Sequence, residues 1–203
     1  MYLTLAEDVV YKDPLRNCIF LDNHDMNRFF SVVGEDVSKF KMGMAMLLTQ
    51  RGIPQLYYGD EILMKNFKNP TDQEVRLDFP GGFPGDQTNK FEASGRSAQE
   101  NEVFNYIKRL ANFRKTSSAL KTGKTMQFIP QNGVYIYFRY DARQTVMCVM
   151  NTNDKPVTIN LSRFNERING VTKAVDVATG NSFTLEPTLT LGEKYLLVME
   201  LSK

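Results

Sequence analysis

Residues 17–25 read NCIFLDNHD, an apolar run that ends in a cluster of polar side chains. A short continuous apolar run is typical of a strand that is buried on both faces, as in parallel sheets. His24, the one histidine in the chain, follows this run almost directly. Because parallel α/β folds place their sites at the carboxyl ends of strands, this junction is a candidate functional site.

The next segments predict a helix and a second strand. Residues 35–52, EDVSKFKMGMAMLLTQRG, repeat apolar side chains at helical spacing and end at a glycine. Residues 53–58, IPQLYY, form a second apolar run. Strand, helix and strand within about 40 residues indicate a βαβ unit, with two parallel strands and a right-handed crossover.

The rest of the chain is predicted to contain a long loop, a helix and then a β-rich segment. Residues 58–97 are rich in Gly, Pro, Asn and Asp, and a loop of this length is usually functional or disordered. Ser97 and Glu100 have the spacing of a capping box at the start of a helix. From about residue 120, short runs with partial alternation are separated by turn residues, which predicts an antiparallel β-sandwich.

These patterns predict an α/β part, residues 1–117, followed by an all-β domain, residues 118–203. Two parallel strands cannot bury a stable core alone, since a parallel sheet needs more strands and cover on both faces. The α/β part is therefore expected to be the end of a larger α/β domain.

Composition excludes several classes of protein. The chain has 203 residues, 42% of them hydrophobic and 24% charged, with a net charge of +2. Basic and acidic residues are mixed, so neither a nucleic-acid footprint nor a polybasic membrane patch is expected. No apolar run is long enough to span a bilayer. The first residues show no signal-peptide pattern, and the location of the protein is left open.

Cys18 and Cys148 each lie inside an apolar run and are predicted to be buried free thiols. One histidine and two scattered cysteines are too few for a metal site, so no metal ligands and no cofactor are assigned.

Polar residues follow both predicted strands: Asn23, His24 and Asp25 after the first, and Asp60 and Glu61 after the second. Each cluster has a structural alternative. A His-Asp pair can simply form a hydrogen-bonded corner, and acidic residues often cap the turn that follows them. Because both clusters end parallel strands, they are expected to lie on one face of the molecule.

Four segments resemble the α-amylase family of glycoside hydrolases. FLDNHDMNR, residues 20–28, is similar to its F-x-x-x-H-D segment with an arginine three positions on. RGIPQLYYGDE, residues 51–61, is similar to its G-x-P-x-x-Y-Y-G-x-E segment at the eighth barrel strand. DQEVR, residues 72–76, matches D-x-x-x-R on the following loop. VRLDFPGG, residues 75–82, resembles bacterial neopullulanase- and cyclomaltodextrinase-like members.

The resemblance implies the last two βα units of a (β/α)8 TIM barrel, followed by the C-terminal β-sandwich. It implies a retaining glycosidase whose substrate is an α-glucan or maltooligosaccharide. Asp25 would stabilise the oxocarbenium-like transition state. The substrate-binding residues would be Asn23, His24, Arg28, Tyr58, Asp72 and Arg76. Without the resemblance, Asp72 and Arg76 form an ordinary surface ion pair. Phe67, Phe79 and Phe83 are either stacking platforms for sugars or packing anchors.

The nucleophile and the general acid of such an enzyme would come before residue 1, so this chain alone is expected to be inactive. The open barrel edge would be covered by a missing N-terminal portion or by another copy in a homo-oligomer. Whether the intact enzyme binds calcium is left open. The intact enzyme is expected to be periplasmic or secreted. One alternative is a non-catalytic carbohydrate-binding or interaction module built on the β-sandwich. A metal-dependent His-Asp phosphohydrolase is disfavoured because it would need more ligands than one histidine supplies.

Overall fold

The computed structural model describes residues 2–203. Its helices are α1 (Tyr2–Ala6), α2 (Phe29–Val32), α3 (Val37–Thr49), α4 (Ala98–Thr116), α5 (Ser118–Thr122) and α6 (Asn165–Ile168). Its strands are β1 (Cys18–Ile19), β2 (Ile53–Pro54), β3 (Lys124–Gln127), β4 (Val134–Tyr140), β5 (Thr145–Asn151), β6 (Val157–Asn160), β7 (Lys173–Asp176), β8 (Ser182–Thr184), β9 (Thr188–Leu191) and β10 (Tyr195–Ser202). Short 3₁₀ turns span Glu7–Val10, Pro14–Arg16, Asp60–Ile62, Asp72–Val75, Ala93–Gly95 and Leu161–Phe164.

The predicted parallel strand pair is confirmed, because β1 and β2 pair in parallel with Cys18 opposite Ile53. The prediction that both faces are buried is wrong. Ile19 packs against the main core, whereas Phe20 and Ile53 are 42% and 56% exposed. Successive strand residues point to opposite faces, and α3 covers only one of them. The predicted burial of the Cys18 thiol is wrong for the same reason, since Cys18 lies on the open face. The prediction holds for Cys148.

Helix α3 forms where the apolar spacing predicts it. The Asp36 side chain accepts a hydrogen bond from the Lys39 backbone and so caps its first turn. At its other end, the buried guanidinium of Arg114 on α4 donates to the carbonyls of Leu48, Gln50 and Gly52 at 2.9, 2.9 and 2.6 Å. These bonds satisfy carbonyls that the end of a helix leaves unpaired, and they fix α4 against α3.

The predicted capping box at Ser97 is confirmed. The Ser97 hydroxyl accepts from the Glu100 backbone, and the Glu100 carboxylate accepts from the Ser97 backbone. Helix α4 follows, and its buried face is made by Val103, Ile107 and Leu110. The long segment between β2 and α4 contains only short 3₁₀ turns, as its composition predicts.

The carboxyl-terminal part is an antiparallel β-sheet domain. Six strands pair in the order β3-β4-β5-β10-β7-β8, and β6 pairs with β9 in a second, two-stranded sheet. One face of the larger sheet packs on the helices, where the Tyr137 hydroxyl meets the Thr49 hydroxyl of α3 at 2.5 Å. Its other face shares a core with the small sheet, through residues such as Phe138, Ile159 and Leu191.

Candidate functional site

A tight turn after β1 presents His24 and Asp25 to solvent. The Asn23 side chain accepts a hydrogen bond from the Asp25 backbone at 2.8 Å, which forms an Asx turn. The side chains of His24 and Asp25 are 63% and 60% exposed, and His24 Nε2 lies 3.3 Å from Asp25 Oδ2. An imidazole and a carboxylate are therefore paired at the surface, beyond the end of a strand.

Arg76, from the loop after β2, binds this turn. Its Nε donates to the His24 carbonyl at 2.9 Å, and its Nη2 donates to Asp25 Oδ1 at 2.8 Å. The same Nη2 donates to Asp72 Oδ2 at 3.1 Å. The structure thus brings together four of the predicted site residues, two from the turn after β1 and two from the loop after β2. We call His24, Asp25, Asp72 and Arg76 the rim.

Lys68 also belongs to this surface and was not among the predicted site residues. Its Nζ donates to the Asp25 carbonyl at 2.8 Å and lies 2.9 Å from Asp72 Oδ1. The hydrogen bond from Lys68 lowers the pKa of Asp72, and the nearby charges of Lys68 and Arg76 act in the same direction. Lys68 precedes Asp72 by four residues, a spacing that could have indicated the pair.

The two tyrosines after β2 differ in environment. The Tyr58 ring is partly exposed and its hydroxyl donates to the Leu77 carbonyl at 2.7 Å. Tyr57 is more deeply placed, and its ring meets that of Tyr58 edge-on with centroids 4.7 Å apart. Burial, together with the neighbouring Tyr58, raises the pKa of Tyr57 to about 12, so its hydroxyl stays protonated at physiological pH. Tyr58 is the tyrosine of the pair that solvent reaches more easily.

Arg28 lies beneath the rim rather than on its surface, with only 1% of the residue exposed. Its Nε donates to the Val75 carbonyl at 3.0 Å, and its Nη1 donates to the Tyr58 carbonyl at 2.6 Å. The guanidinium also lies 3.9 Å from the centroid of the Tyr57 ring. Arg28 therefore joins three segments of backbone, and in this structure a ligand arriving from solvent does not reach it.

Two further buried charges next to Arg28 were not predicted as a pair. Asp22 and Asp60, which follow β1 and β2, are 1% and 2% exposed. Burial raises the pKa of both carboxyls, that of Asp60 to about 8. Sequence alone offered one signal, a carboxylate directly after each strand, but nothing in it shows that these two side chains turn inward.

The aromatic residues of the long loop separate into two kinds. Phe79 stacks on Phe91 with ring centroids 4.4 Å apart. Phe67 and Phe83 are 52% and 58% exposed, so their rings are accessible to a ligand.

Among residues 2–203, no group of three or more His, Cys, Asp or Glu side chains is arranged to hold a metal ion. Over the same residues, no helix combines the length and the apolar character needed to cross a bilayer.

Comparison with known families assigns both parts of the chain. Residues 3–80 match the family described as "Alpha amylase, catalytic domain". Residues 125–200 match the family described as "Cyclo-malto-dextrinase C-terminal domain".

Curated relatives agree with these matches. The chain is 31% identical to a cyclomaltodextrin glucanotransferase of Geobacillus stearothermophilus, over 70% of this chain and 17% of that protein. It is 34% identical to an alpha-amylase of Niallia circulans, over 66% of this chain and 22% of that protein. The chain therefore spans about a fifth of the length of each of these relatives.

Solved structures share the fold. The alpha-amylase of Geobacillus thermoleovorans, solved in complex with acarbose, superposes on the whole chain with a TM-score of 0.78 at 20% identity, and 42% of that protein is covered. The cyclomaltodextrin glucanotransferase CldA superposes on 97% of this chain with a TM-score of 0.74 at 25% identity, covering 38% of that protein.

The fold is thus that of carbohydrate-active enzymes with an α/β part and a C-terminal β-sheet domain. Residues 3–80 thus match the catalytic domain of the α-amylase family, and the curated relatives are glycoside hydrolases and transferases of that family.

Proposed function

We propose that this chain is the carboxyl-terminal portion of a retaining glycosidase that acts on α-glucans and is of the neopullulanase or cyclomaltodextrinase type. Residues 1–117 supply the last two βα units of its barrel, and residues 118–203 supply its C-terminal β-sandwich. The nucleophile and the general acid come from sequence outside these residues. The observation that carries the proposal is the rim, where Arg76 holds Asp25 and Asp72 side by side.

The chemistry of the rim suits a sugar. Carboxylate and guanidinium groups form charge-assisted hydrogen bonds with hydroxyl groups, and these are stronger than neutral ones. Asp25 is the transition-state stabiliser, because hydrogen bonds to ring hydroxyls that strengthen as the ring distorts lower the barrier to glycoside cleavage. Asn23 shapes the turn that presents Asp25. His24, Tyr58, Asp72 and Arg76 contact the bound glucan, while Arg28 holds the turn from below.

The open face of the β1–β2 pair supports the partial-barrel assignment. Phe20, Ile53 and Leu56 are apolar and 41 to 56% exposed. Unpaired strand edges with apolar side chains are unfavourable in water. We infer that this face is covered in the intact assembly by the rest of the barrel, or by a second copy of the chain.

Binding of maltoheptaose, followed by NMR on the full chain, tests the proposed site. We expect shift changes at His24 and around Arg76, with Asp25→Asn weakening the affinity by about tenfold or more, since a hydrogen bond to a charged group contributes about 1.5–3 kcal/mol. Asp154→Asn, which removes an exposed carboxylate on the turn after β5, is the matched control and should bind as wild type. Wild-type affinity in Asp25→Asn would contradict the assigned role.

A second candidate is a glucan-binding module in the β-sheet domain. A groove there is lined by Phe128, Asn160, Arg163 and Phe164, among other residues. Shift changes confined to this groove would favour the binding module over the rim. A turnover assay tests whether the nucleophile and the general acid lie outside these residues. Cleavage of maltooligosaccharide by the purified chain, free of contaminants, would overturn that proposal.

A further inference from the structure

A short segment of the loop after β2 lies along the turn after β1. The backbone of Arg28 donates to the Asn66 carbonyl at 3.0 Å, and the backbone of Lys68 donates to Asn27 Oδ1 at 2.8 Å. Neither bond involves the Lys68 side chain. The backbone of Lys68 is therefore fixed beside the turn by contacts that are independent of its charge.

The Lys68 side chain reaches from this fixed backbone to the rim. Its Nζ donates to the Asp25 carbonyl at 2.8 Å and lies 2.9 Å from Asp72 Oδ1. A lysine side chain loses conformational entropy when it is held in one position, and this loss opposes most surface ion pairs. Here the backbone is already docked, and the side chain is only 34% exposed. The ammonium is therefore held next to Asp72.

Asp72 is held at both of its carboxylate oxygens. Lys68 lies at Oδ1, and Arg76 Nη2 donates to Oδ2 at 3.1 Å. Each cation is also bound to a carbonyl of the turn after β1, Arg76 to that of His24 and Lys68 to that of Asp25. Within residues 2–203, Asp72 makes no direct hydrogen bond to this turn, so the two cations set its position. We call Lys68, Asp72 and Arg76 the clamp.

The two cations of the clamp have different partners. One nitrogen of Arg76, Nη2, donates to both Asp25 and Asp72. Lys68 pairs with one carboxylate among the described residues, that of Asp72. Arg76 therefore couples the two carboxylates, whereas Lys68 acts on Asp72 alone. In agreement with this contact, the pKa of Asp72 lies below its ordinary value, and the hydrogen bond from Lys68 is the largest cause.

We propose that Lys68 is a positioning residue that holds Asp72 in the orientation in which it accepts hydroxyl groups of a bound glucan. A carboxylate has about four acceptor sites on its two oxygens. Because a cation lies at each oxygen, the plane of the Asp72 carboxylate is fixed and its remaining acceptor sites face in defined directions. A sugar then binds without first having to order this side chain. The value of the clamp for sugar binding rests on the proposed function, whereas the clamp itself does not.

Carbon-13 NMR of the carboxyl groups tests the clamp without any ligand. Lys68→Met removes the ammonium and keeps a side chain of similar length. We expect the pKa of Asp72 to rise toward its ordinary value in this variant, and to stay low in Lys68→Arg, which keeps a charged donor. Lys65→Met is the matched control, because this exposed lysine of the same loop pairs with Glu35, and it should leave Asp72 unchanged. An unchanged pKa of Asp72 in Lys68→Met would overturn the proposal.

Binding of maltoheptaose to the full chain measures what the clamp contributes. We expect Lys68→Met to weaken the affinity about fivefold, as for the loss of one hydrogen bond. Lys68→Arg should retain most of the affinity, and the control Lys65→Met should bind as wild type. Wild-type affinity in Lys68→Met would show that Asp72 needs no positioning by the ammonium, and the proposal would be wrong.

A double-mutant cycle separates a residue that acts through Asp72 from one that touches the sugar itself. In an Asp72→Ala background, Lys68→Met should weaken binding by less than about twofold, because the group that Lys68 positions is gone. A loss as large as in the wild-type background would mean that the ammonium binds the sugar directly, which contradicts the positioning role. If the wild type itself binds no maltoheptaose, the proposed function fails, and the carboxyl titration alone decides whether the clamp exists.

Discussion

Arg76 donates a hydrogen bond to the carboxylate of Asp25 at 2.8 Å, across 51 residues of sequence. This contact joins the turn after β1 to the loop after β2 at the surface, while Arg28 joins the same segments in the interior through the carbonyls of Tyr58 and Val75. The rim is thus held from two sides. Its exposed contacts and its buried contacts should respond differently to substitution, because solvent screens the first and not the second.

Arg76→Ala is expected to weaken maltoheptaose binding by about tenfold or more, since it removes a charged donor and releases Asp25. The free energy of unfolding should fall by less than about 1 kcal/mol, because the Arg76 side chain is exposed and its ion pairs contribute little to folding. NMR titration and urea denaturation measure the two effects. Arg143→Ala, in the exposed turn between β4 and β5, should change neither quantity. A large loss of stability in Arg76→Ala would show that the rim is part of the fold rather than a binding surface.

Arg28→Ala should lower the free energy of unfolding by about 3–5 kcal/mol, because it leaves buried carboxyls without their neighbouring cation. Arg28→Lys should be intermediate, since an ammonium keeps the charge but lacks the planar fork that reaches two carbonyls at once. Arg16→Ala removes an arginine whose side chain is 86% exposed and should cost little. Equal stability of the Ala and Lys variants would contradict the role given to the charge.

The sequence predicts much of this arrangement. Helical spacing and the capping box are local signals that appear in the structure where they were expected, whereas the two apolar runs form strands of only two residues each. The parallel pairing of β1 and β2 follows from the same signals, because a crossover helix leaves few other topologies. The polar residues after each strand were expected on one face, but only His24 and Asp25 are exposed, whereas Asp60 is buried.

Burial is the part that local signals do not reveal. Arg28 and Asp60 are charged residues in polar stretches, yet tertiary contacts from three segments enclose them. Cys18 is the opposite case, since its apolar neighbours predict an interior position and the described residues leave that face open. Periodicity reports which side of an element is apolar, but what covers that side depends on the rest of the assembly.

Ser97→Ala should lower the free energy of unfolding by about 1 kcal/mol, since it removes the hydroxyl that caps the first turn of α4. The matched control is Ser162→Ala, an exposed serine whose backbone, and not its side chain, makes the local hydrogen bond. Urea denaturation of both variants gives the comparison. An equal effect of the two substitutions would mean that the cap contributes nothing beyond the loss of a surface hydroxyl.

Thiol labelling tests whether the open face of the β1–β2 pair is covered in solution. Cys18 lies on that face opposite Ile53, whereas Cys148 is fully buried and burial raises its pKa to about 11. At low protein concentration a thiol reagent should modify Cys18 quickly and Cys148 only on unfolding, because the reactive species is the accessible thiolate. Cys18→Ser should abolish the fast phase and Cys148→Ser should retain it.

If a second copy covers the face, the fast labelling rate of Cys18 should fall as the protein concentration increases and the dimer forms. A rate that is independent of concentration would favour the proposed remainder of the barrel as the covering partner. Slow labelling of Cys18 at the lowest concentration would contradict an open face.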